Sequence, residues 1–452
     1  MSRPDSAVRF ASHVAETRFE NLSPEAVERA KVFILDTIGV GIAGSTAQGA
    51  EEVRQAASRW GAGEGAAVWG IGLRLPPAQA ALVNAFQVHN QEFDALHEAA
   101  VLHAPATLLP ALLADAGARD GITGRDLITA FTVGVDVACG LGLAARRGLR
   151  FFRPATAGGF GAVAGVAHLR GFSADQVLAA FGHQLGQVAG TMQAHTEGSP
   201  LLPYQVGTNA RAAIVSCDLV EAGLGSLRAP FEGPYGYLPL FEGEYDLAPI
   251  LAELGRAWRV AELSHKPYPS GRATHGGIEG LMRLRAEHGF SSAEVEAITV
   301  IGPPLISRLV DRPPLPDPGP GYARLCMPFV LAKVLQQGAL DLAHFRGHAL
   351  ADPATFALAA RVRMVADGNP DPNIFAPQRV EVRLRGGRVL GCDLPSLLAS
   401  PARPLSRADR TAKFERCLAF AATERAGRGA LADLIETLDQ QPCLRGMINA
   451  IS

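Results

Sequence analysis

Apolar residues recur at three- and four-residue spacing over most of the first 260 positions, the period of helices that bury one face. Ser23 and Pro24 form an N-cap and first-turn pair, and Val27, Ala30, Phe33, Ile34 and Ile38 follow at helical spacing. Similar periods run through Ala104 to Ala116, Gly124 to Ala145, Gly159 to Leu169, Ser173 to Ala189 and Gly207 to Ala222. Glycine and alanine are dense in these segments, which lets helices approach closely in a bundle buried on several sides. This part of the chain reads as all-helical.

The pattern changes after Lys266. Val295 to Ile301 has the β-branched character of a strand, and Val380, Val382 and Leu384 alternate with Arg379, Glu381, Arg383 and Arg385. Gly386-Gly387 then turns the chain into Arg388 to Leu390, a hairpin signal. Met327 to Gln337 and Pro353 to Val362 read as helices, Pro303 to Pro320 as a loop because proline removes backbone donors, and Ser406 to Arg425 as a return to helix. The expected fold class is mainly α. A large all-helical domain is expected over 1–265, rejoined by the C-terminal segment 401–452, and a smaller α+β domain over 266–400.

Composition adds exclusions. The 452 residues are 48% hydrophobic and 19% charged, enough for full-sized cores. With 42 basic against 44 acidic residues the net charge is -2, which offers no electrostatic case for nucleic acid and points to a small-molecule partner. Leu127 to Ala145 carries a single charge, Asp136, but the surrounding chain is equally rich in alanine and glycine, so a helix buried in protein is expected rather than a membrane span. Cys139, Cys217, Cys326, Cys392, Cys417 and Cys443 lie far apart without a CxxC, so neither a zinc nor an iron-sulfur ligand run is visible, and reduced thiols in the cytoplasm are expected. The opening MSRPDSAVRF places charge where a signal peptide needs an apolar run, so export is not expected.

Candidate chemistry is concentrated in two clusters. Only Lys31, Lys266, Lys333 and Lys413 of the 42 basic residues are lysine, so a lysine invites a specific reason. Lys31, Lys333 and Lys413 lie in helical contexts where packing or solvation accounts for them. Lys266 lies in Ser264-His265-Lys266-Pro267-Tyr268-Pro269-Ser270-Gly271-Arg272-Ala273-Thr274-His275, a proline-stiffened loop at the domain boundary, where partial desolvation would suit a base or a carboxylate-holding cation. A plain hinge with exposed polar groups explains the loop equally well. The second cluster, Glu92-Phe93-Asp94-Ala95-Leu96-His97 with His103-Ala104-Pro105, suits an acid/base pair. No metal site is expected there: His97 and His103 do not share a helical face and no cysteine is near. His195 and Glu197 form a weaker patch that a loop between helices also explains. The GxGxxG match Gly39 to Gly44 follows a helix rather than a strand, so it reads as a small-residue helix end and not a phosphate-binding turn.

These clusters, in this order, resemble the MmgE/PrpD family, which includes 2-methylcitrate dehydratase, cis-aconitate decarboxylase and iminodisuccinate epimerase. The similar segments span nearly the whole chain: Leu22-Ser23-Pro24-Glu25, Asp36-Thr37-Ile38-Gly39, Phe93-Asp94 to His97, His103-Ala104-Pro105, Gly159-Phe160-Gly161, Lys266-Pro267-Tyr268-Pro269-Ser270, Thr274-His275, Pro328-Phe329 and Lys413-Phe414. The resemblance implies an all-helical domain carrying a smaller α+β domain with the active-site cleft between them, a cofactor-free homodimer, and a small di- or tricarboxylate substrate. It places Asp94, His103 and Lys266 at active-site positions, with His275 and Arg272 adjoining. The pattern departs at Leu202, where the family often has lysine, at Gly271, where Cys or His is frequent, and near Phe152 or Arg153, where a histidine is common. Arg150, Arg153 and Tyr204 are candidate replacement clamps, and His97 a further substrate-binding candidate.

The reading that follows is a metal-independent lyase of hydro-lyase type, removing a proton α to a carboxylate. Lys266 and His103 are the acid/base candidates, Asp94 the orienter, and His275 with Arg272 the clamps. An epimerase of a small dicarboxylate and a non-catalytic carboxylate-binding protein are the alternatives. No nucleic acid, membrane, metal or cofactor is expected.

Overall fold

The computed structural model describes residues 6–452 apart from 62, 64 and 422–428. Helices α1 (Ser6–Glu16), α2 (Pro24–Gly44), α3 (Ala50–Arg59), α4 (Pro77–His89), α5 (Ala104–Ala116), α6 (Gly124–Ala144), α7 (Arg153–Leu169), α8 (Ala174–Leu185), α9 (Gln193–Glu197), α10 (Leu201–Glu221) and α11 (Ala248–Glu253) share the first hydrophobic core. Local chemistry sets their ends. Ser23 Oγ accepts from the Ala26 amide at 3.1 Å ahead of Pro24, and Thr123 caps α6 by accepting from the Asp126 amide. The glycines of α2 are packing surfaces rather than a turn: a Cβ on Gly41 would lie 2.5 Å from the Trp69 ring, and one on Gly44 1.8 Å from the Gln87 carbonyl.

Among the described residues α6 is the one helix long and apolar enough to cross a membrane, but 94% of its apolar window is buried inside the protein. The charge in the middle of that helix is accounted for there. Asp136 accepts hydrogen bonds from the Arg259 amide at 2.8 Å and from His13 Nε2 at 3.0 Å.

The first 265 residues are not purely helical. A short antiparallel pair joins β1 (Ala66–Ala67) to β2 (Arg74–Leu75), and β3 (Leu96–His97) pairs with β4 (Leu263–Ser264), with Leu96 opposite Ser264. Two-residue strands carry no readable period, which is why the sequence pattern passes over them. Helix starts also differ from expectation: α7 begins at Arg153 and α10 at Leu201, because prolines near their first turns favour initiation. The segment after Ser173 ends earlier than expected, at Leu185.

Beyond residue 265 a second core forms around a four-stranded sheet. Its strands are β5 (Val295–Gly302), β6 (Val362–Ala366), β7 (Gln378–Leu384) and β8 (Val389–Leu394), in the order β6-β5-β7-β8, with β5 and β6 parallel and the other pairs antiparallel. Helices α12 (His275–His288), α13 (Pro304–Val310), α14 (Pro320–Arg324), α15 (Met327–Gln337) and α16 (Pro353–Ala359) accompany it. Two expectations are corrected here. Part of the proline-rich loop is helix α13, in which Pro304 occupies a first-turn position whose missing N–H costs nothing. The expected helix from Pro353 ends at Ala359, and Val362 opens edge strand β6, whose residues are half-buried or exposed and so present no buried apolar face.

Helices α17 (Arg407–Phe420), α18 (Gly429–Glu436) and α19 (Arg445–Ile451) return to the first core through Phe414, Leu431, Leu438 and Ile448. The stretch 422–425 of the helix expected from Ser406 lies outside the described residues. A Cβ on Gly39 of α2 would meet the Phe414 ring at 2.7 Å, so the C-terminal segment seats directly on α2.

Candidate active site

Three local features bring the two sequence clusters together. Helix α4 ends at His89, and the chain turns through Glu92 in the left-handed region (φ 49), so that Glu92 and Asp94 point back toward the helix end. Strand β3 follows, and its pairing with β4 carries Lys266 across to Glu92. His103 then sits at the N-cap position of α5. Val101, in the loop just before His103, is also left-handed (φ 49), a strained conformation for a β-branched residue.

The polar centre is Asp94, which is fully buried. Its Oδ2 accepts from His89 Nδ1 at 2.9 Å and from His103 Nδ1 at 2.9 Å. Its Oδ1 has no hydrogen-bond partner and lies 3.9 Å from Lys266 Nζ. Lys266, also fully buried, donates to Glu92 Oε2 at 2.7 Å. A buried ion pair of this kind contributes little net stability once desolvation is counted, so its value is the field it creates. Burial opposes the charge on Glu92, but Lys266, His89 and His103 outweigh it and hold Glu92 down at about 2. Asp94 is likewise kept well below its usual range against burial by His103, His89 and Lys266.

The two imidazoles on Asp94 are driven apart. Burial lowers His89, yet Asp94 and Glu92 outweigh it and leave His89 raised. Burial, with Lys266 and His89 adding to it, holds His103 below the ordinary histidine value despite Asp94. His89 therefore keeps its proton where His103 has lost its own. Each donates Nδ1–H to the carboxylate, so His103 presents a lone pair at Nε2 while His89 carries Nε2–H, which makes no hydrogen bond and lies 3.7 Å from Glu92 Oε1.

Both histidines line a cavity of about 50 Å³, together with Glu92 and His195. Its remaining wall is mostly apolar, including Leu96, Leu149, Phe152, Met192, Leu309 and Phe375, and it draws on residues from both sides of position 265. His195, on α9, which the sequence offered only as part of a weaker patch, lines the cavity as well. Arg312 Nη2 donates to its Nδ1 at 3.0 Å and also to its backbone carbonyl. An arginine cannot accept, so His195 is the neutral Nε2–H tautomer; burial and Arg312 push it down to about 3. It is a fixed hydrogen-bond donor.

Other expected residues are placed elsewhere. His275 accepts from Arg272 at Nδ1 and donates from Nε2 to the Ser270 carbonyl, leaving no free nitrogen. The Arg272 guanidinium is consumed by Glu98 Oε1 at 2.6 Å and by the carbonyls of His265 and Leu398, although Arg272 lines the cavity. Arg153 is saturated by Glu242, Asn373 and two carbonyls. His97 bonds Glu262 at 2.7 Å and the Ala100 amide. Tyr204 packs half-buried on the first core, and Arg150 is exposed. Of these six groups only Arg272 lines the cavity, and its guanidinium is already committed. Lys413, expected to be explained by ordinary packing or solvation, is instead buried beside the site, bonding Asp36 at 2.7 Å and the Phe93 carbonyl at 2.8 Å. Sequence reasoning missed His89 because it falls at the end of an apolar helix, where a core histidine is the ordinary reading. Its only signal is the five-residue step to Asp94.

His89, Asp94 and His103 also bring three potential metal-ligand atoms within 4.8 Å of one another. Both imidazole nitrogens nearest the carboxylate are already engaged with it, and the Lys266 ammonium stands where an added cation would be repelled. The donor set suits proton transfer better than metal binding.

Residues 8–250 match the MmgE/PrpD N-terminal domain and residues 268–437 the MmgE/PrpD C-terminal domain. The chain is similar to a cis-aconitate decarboxylase-like protein of Aspergillus oryzae, 26% identical over 86% of each chain. It is similar to cis-aconitate decarboxylase of Homo sapiens, 25% identical over 90% of this chain and 86% of the relative. A cis-aconitate decarboxylase of Aspergillus terreus is 28% identical over 62% of this chain and 59% of the relative. With both domain types matched in order over most of its length, the chain belongs to the MmgE/PrpD family.

Proposed function

We propose that this protein is a lyase for a small di- or tricarboxylate, and that the proton shared out unequally between His89 and His103 is the one exchanged with the substrate. The observation that carries the reading is the pair of imidazoles on one Asp94 oxygen, both on the cavity wall; their surroundings raise His89 and lower His103. Their chemistry is that of a matched acid and base. His195 Nε2–H supplies a donor for a developing oxyanion, and Lys266 balances Glu92 and Asp94. No metal or cofactor is assigned a step.

Loss of CO2 is the first bond-breaking event considered. The carbon–carboxylate bond breaks, its electron pair forms a new double bond as the neighbouring one shifts, and His89 delivers its proton to the far carbon; solvent then restores the proton. The apolar lining favours this step, because charge concentrated on a carboxylate is dispersed as CO2 leaves. The names of the relatives support the same chemistry. A second reading, dehydration, is favoured by neutral His103: it would take the α proton while His89 protonates the departing hydroxyl, releasing water. Epimerisation fits less well. It needs bases on opposite faces of a carbon, and the His89 and His103 rings are neighbours, 5.0 Å apart on one oxygen.

The test is incubation in deuterium oxide with cis-aconitate, citrate, 2-methylcitrate, malate and iminodisuccinate, followed by proton NMR, alkene absorbance and CO2 release, with and without chelator. Cleavage that survives chelation and is lost in His89→Asn supports the lyase. Deuterium exchange or inversion without cleavage would replace it with an epimerase.

A further inference from the structure

Five arginines are buried among the described residues, and three of them, Arg153, Arg259 and Arg272, face carboxylates. Arg312 and Arg324 have none within ion-pair distance. Arg312 gives Nη2 to His195 and leaves Nη1 without an acceptor, but it lines neither of the two cavities around His89. Arg324, only 3% exposed, donates from Nη2 to the Gln91 side-chain oxygen and lies over the Phe345 ring at 4.7 Å, while its Nε has no acceptor. Burial pushes Arg324 down to about 9, as expected of a cation lacking its anion.

Arg324 lines a second cavity, of about 30 Å³, with Asn90, Ser199 and Leu202. This cavity shares His89, Glu92 and Leu325 with the first, so one small molecule could reach both. The one acidic group on its wall, Glu92, is already neutralised by Lys266. The N-terminal end of the 21-residue helix α10 also contributes to the lining, through Leu202 and Pro203, and adds a positive potential. A buried guanidinium with a free N–H, lining a cavity that His89 also lines, is built for a planar anion.

We propose that Arg324 binds a second carboxylate of the substrate, one remote from the reacting carbon, and so selects di- and tricarboxylates over monoacids. This rests on the carboxylate-lyase reading. Leu202 then needs no charge, because Arg324 supplies the cation of this cavity.

Calorimetric binding of citrate, cis-aconitate, malate and succinate to the full chain tests it, beside KM and kcat for whichever acid is turned over. Arg324→Gln should weaken binding roughly 10- to 100-fold, the scale of a lost charged hydrogen bond, chiefly through KM, with Arg324→Lys recovering part of the loss. Leu202→Glu should weaken binding similarly, since its carboxylate would occupy the guanidinium; it also carries the test alone if Arg324→Gln does not fold. Unchanged affinity in the variants would overturn the assignment while leaving the lyase reading in place. Failure of the native chain to bind any of the acids would overturn both.

Discussion

At the scale of single residues, the distinguishing feature is that one buried carboxylate sets two histidines to different tasks. His89→Asn should reduce turnover by about 10²- to 10⁴-fold, the usual weight of a positioned acid, with the fold retained by circular dichroism. His103→Ala should match that loss only if the reaction is a dehydration. The pH profile separates the two reactions further. Decarboxylation needs His89 protonated and should fade only on the alkaline side, above the ordinary histidine value of about 6.5. Dehydration also needs His103 neutral, which adds an acid limb below that value. Lys266 lowers both histidines, so Lys266→Met should move every limb to higher pH, measured as kcat/KM against pH; an unmoved profile would remove Lys266 from the electrostatics of the site.

At the scale of elements, α2 and α17 form the platform behind the reactive loop. Lys413 reaches from α17 to Asp36 on α2 and to the carbonyl of Phe93, the residue before Asp94. Removing one partner strands the other charge in the interior, so Lys413→Met should cost about 3–5 kcal/mol in denaturant unfolding. The double variant Asp36→Asn, Lys413→Met should recover much of this loss. Gly44 tests the other contact of α2. Gly44→Ala would drive a methyl into the Gln87 carbonyl and should cost about 1–3 kcal/mol or more, whereas a nucleotide-binding role would show as lost nucleotide affinity at unchanged stability.

At the scale of the molecule, the two cores are interlocked. The second core includes Leu96, Val101 and Leu149 from the first part of the chain, and Arg272 ties to Glu98 across it. Deleting 401–452 uncovers Gly39 and its neighbours on α2, so the truncated protein should aggregate or melt well below the full chain in a thermal scan. What the sequence by itself determined was local or ordered along the chain. Ser23-Pro24 marked a helix start, the alternation around Val380 a strand, Gly386-Gly387 a hairpin, and the succession of Asp94, His103 and Lys266 the family; caps, periods and motif order act through near neighbours and need no tertiary contact to be read. The tertiary structure alone decided which polar groups are free. Lys266 meets Glu92 across 174 positions, Arg324 meets Gln91 across 233 and Lys413 meets Phe93 across 320. Arg272, Arg153 and His275 look on paper as available as Arg324, and they differ only in whether packing sets an acceptor beside them. That depends on distances between elements remote in sequence, which neither composition nor period encodes.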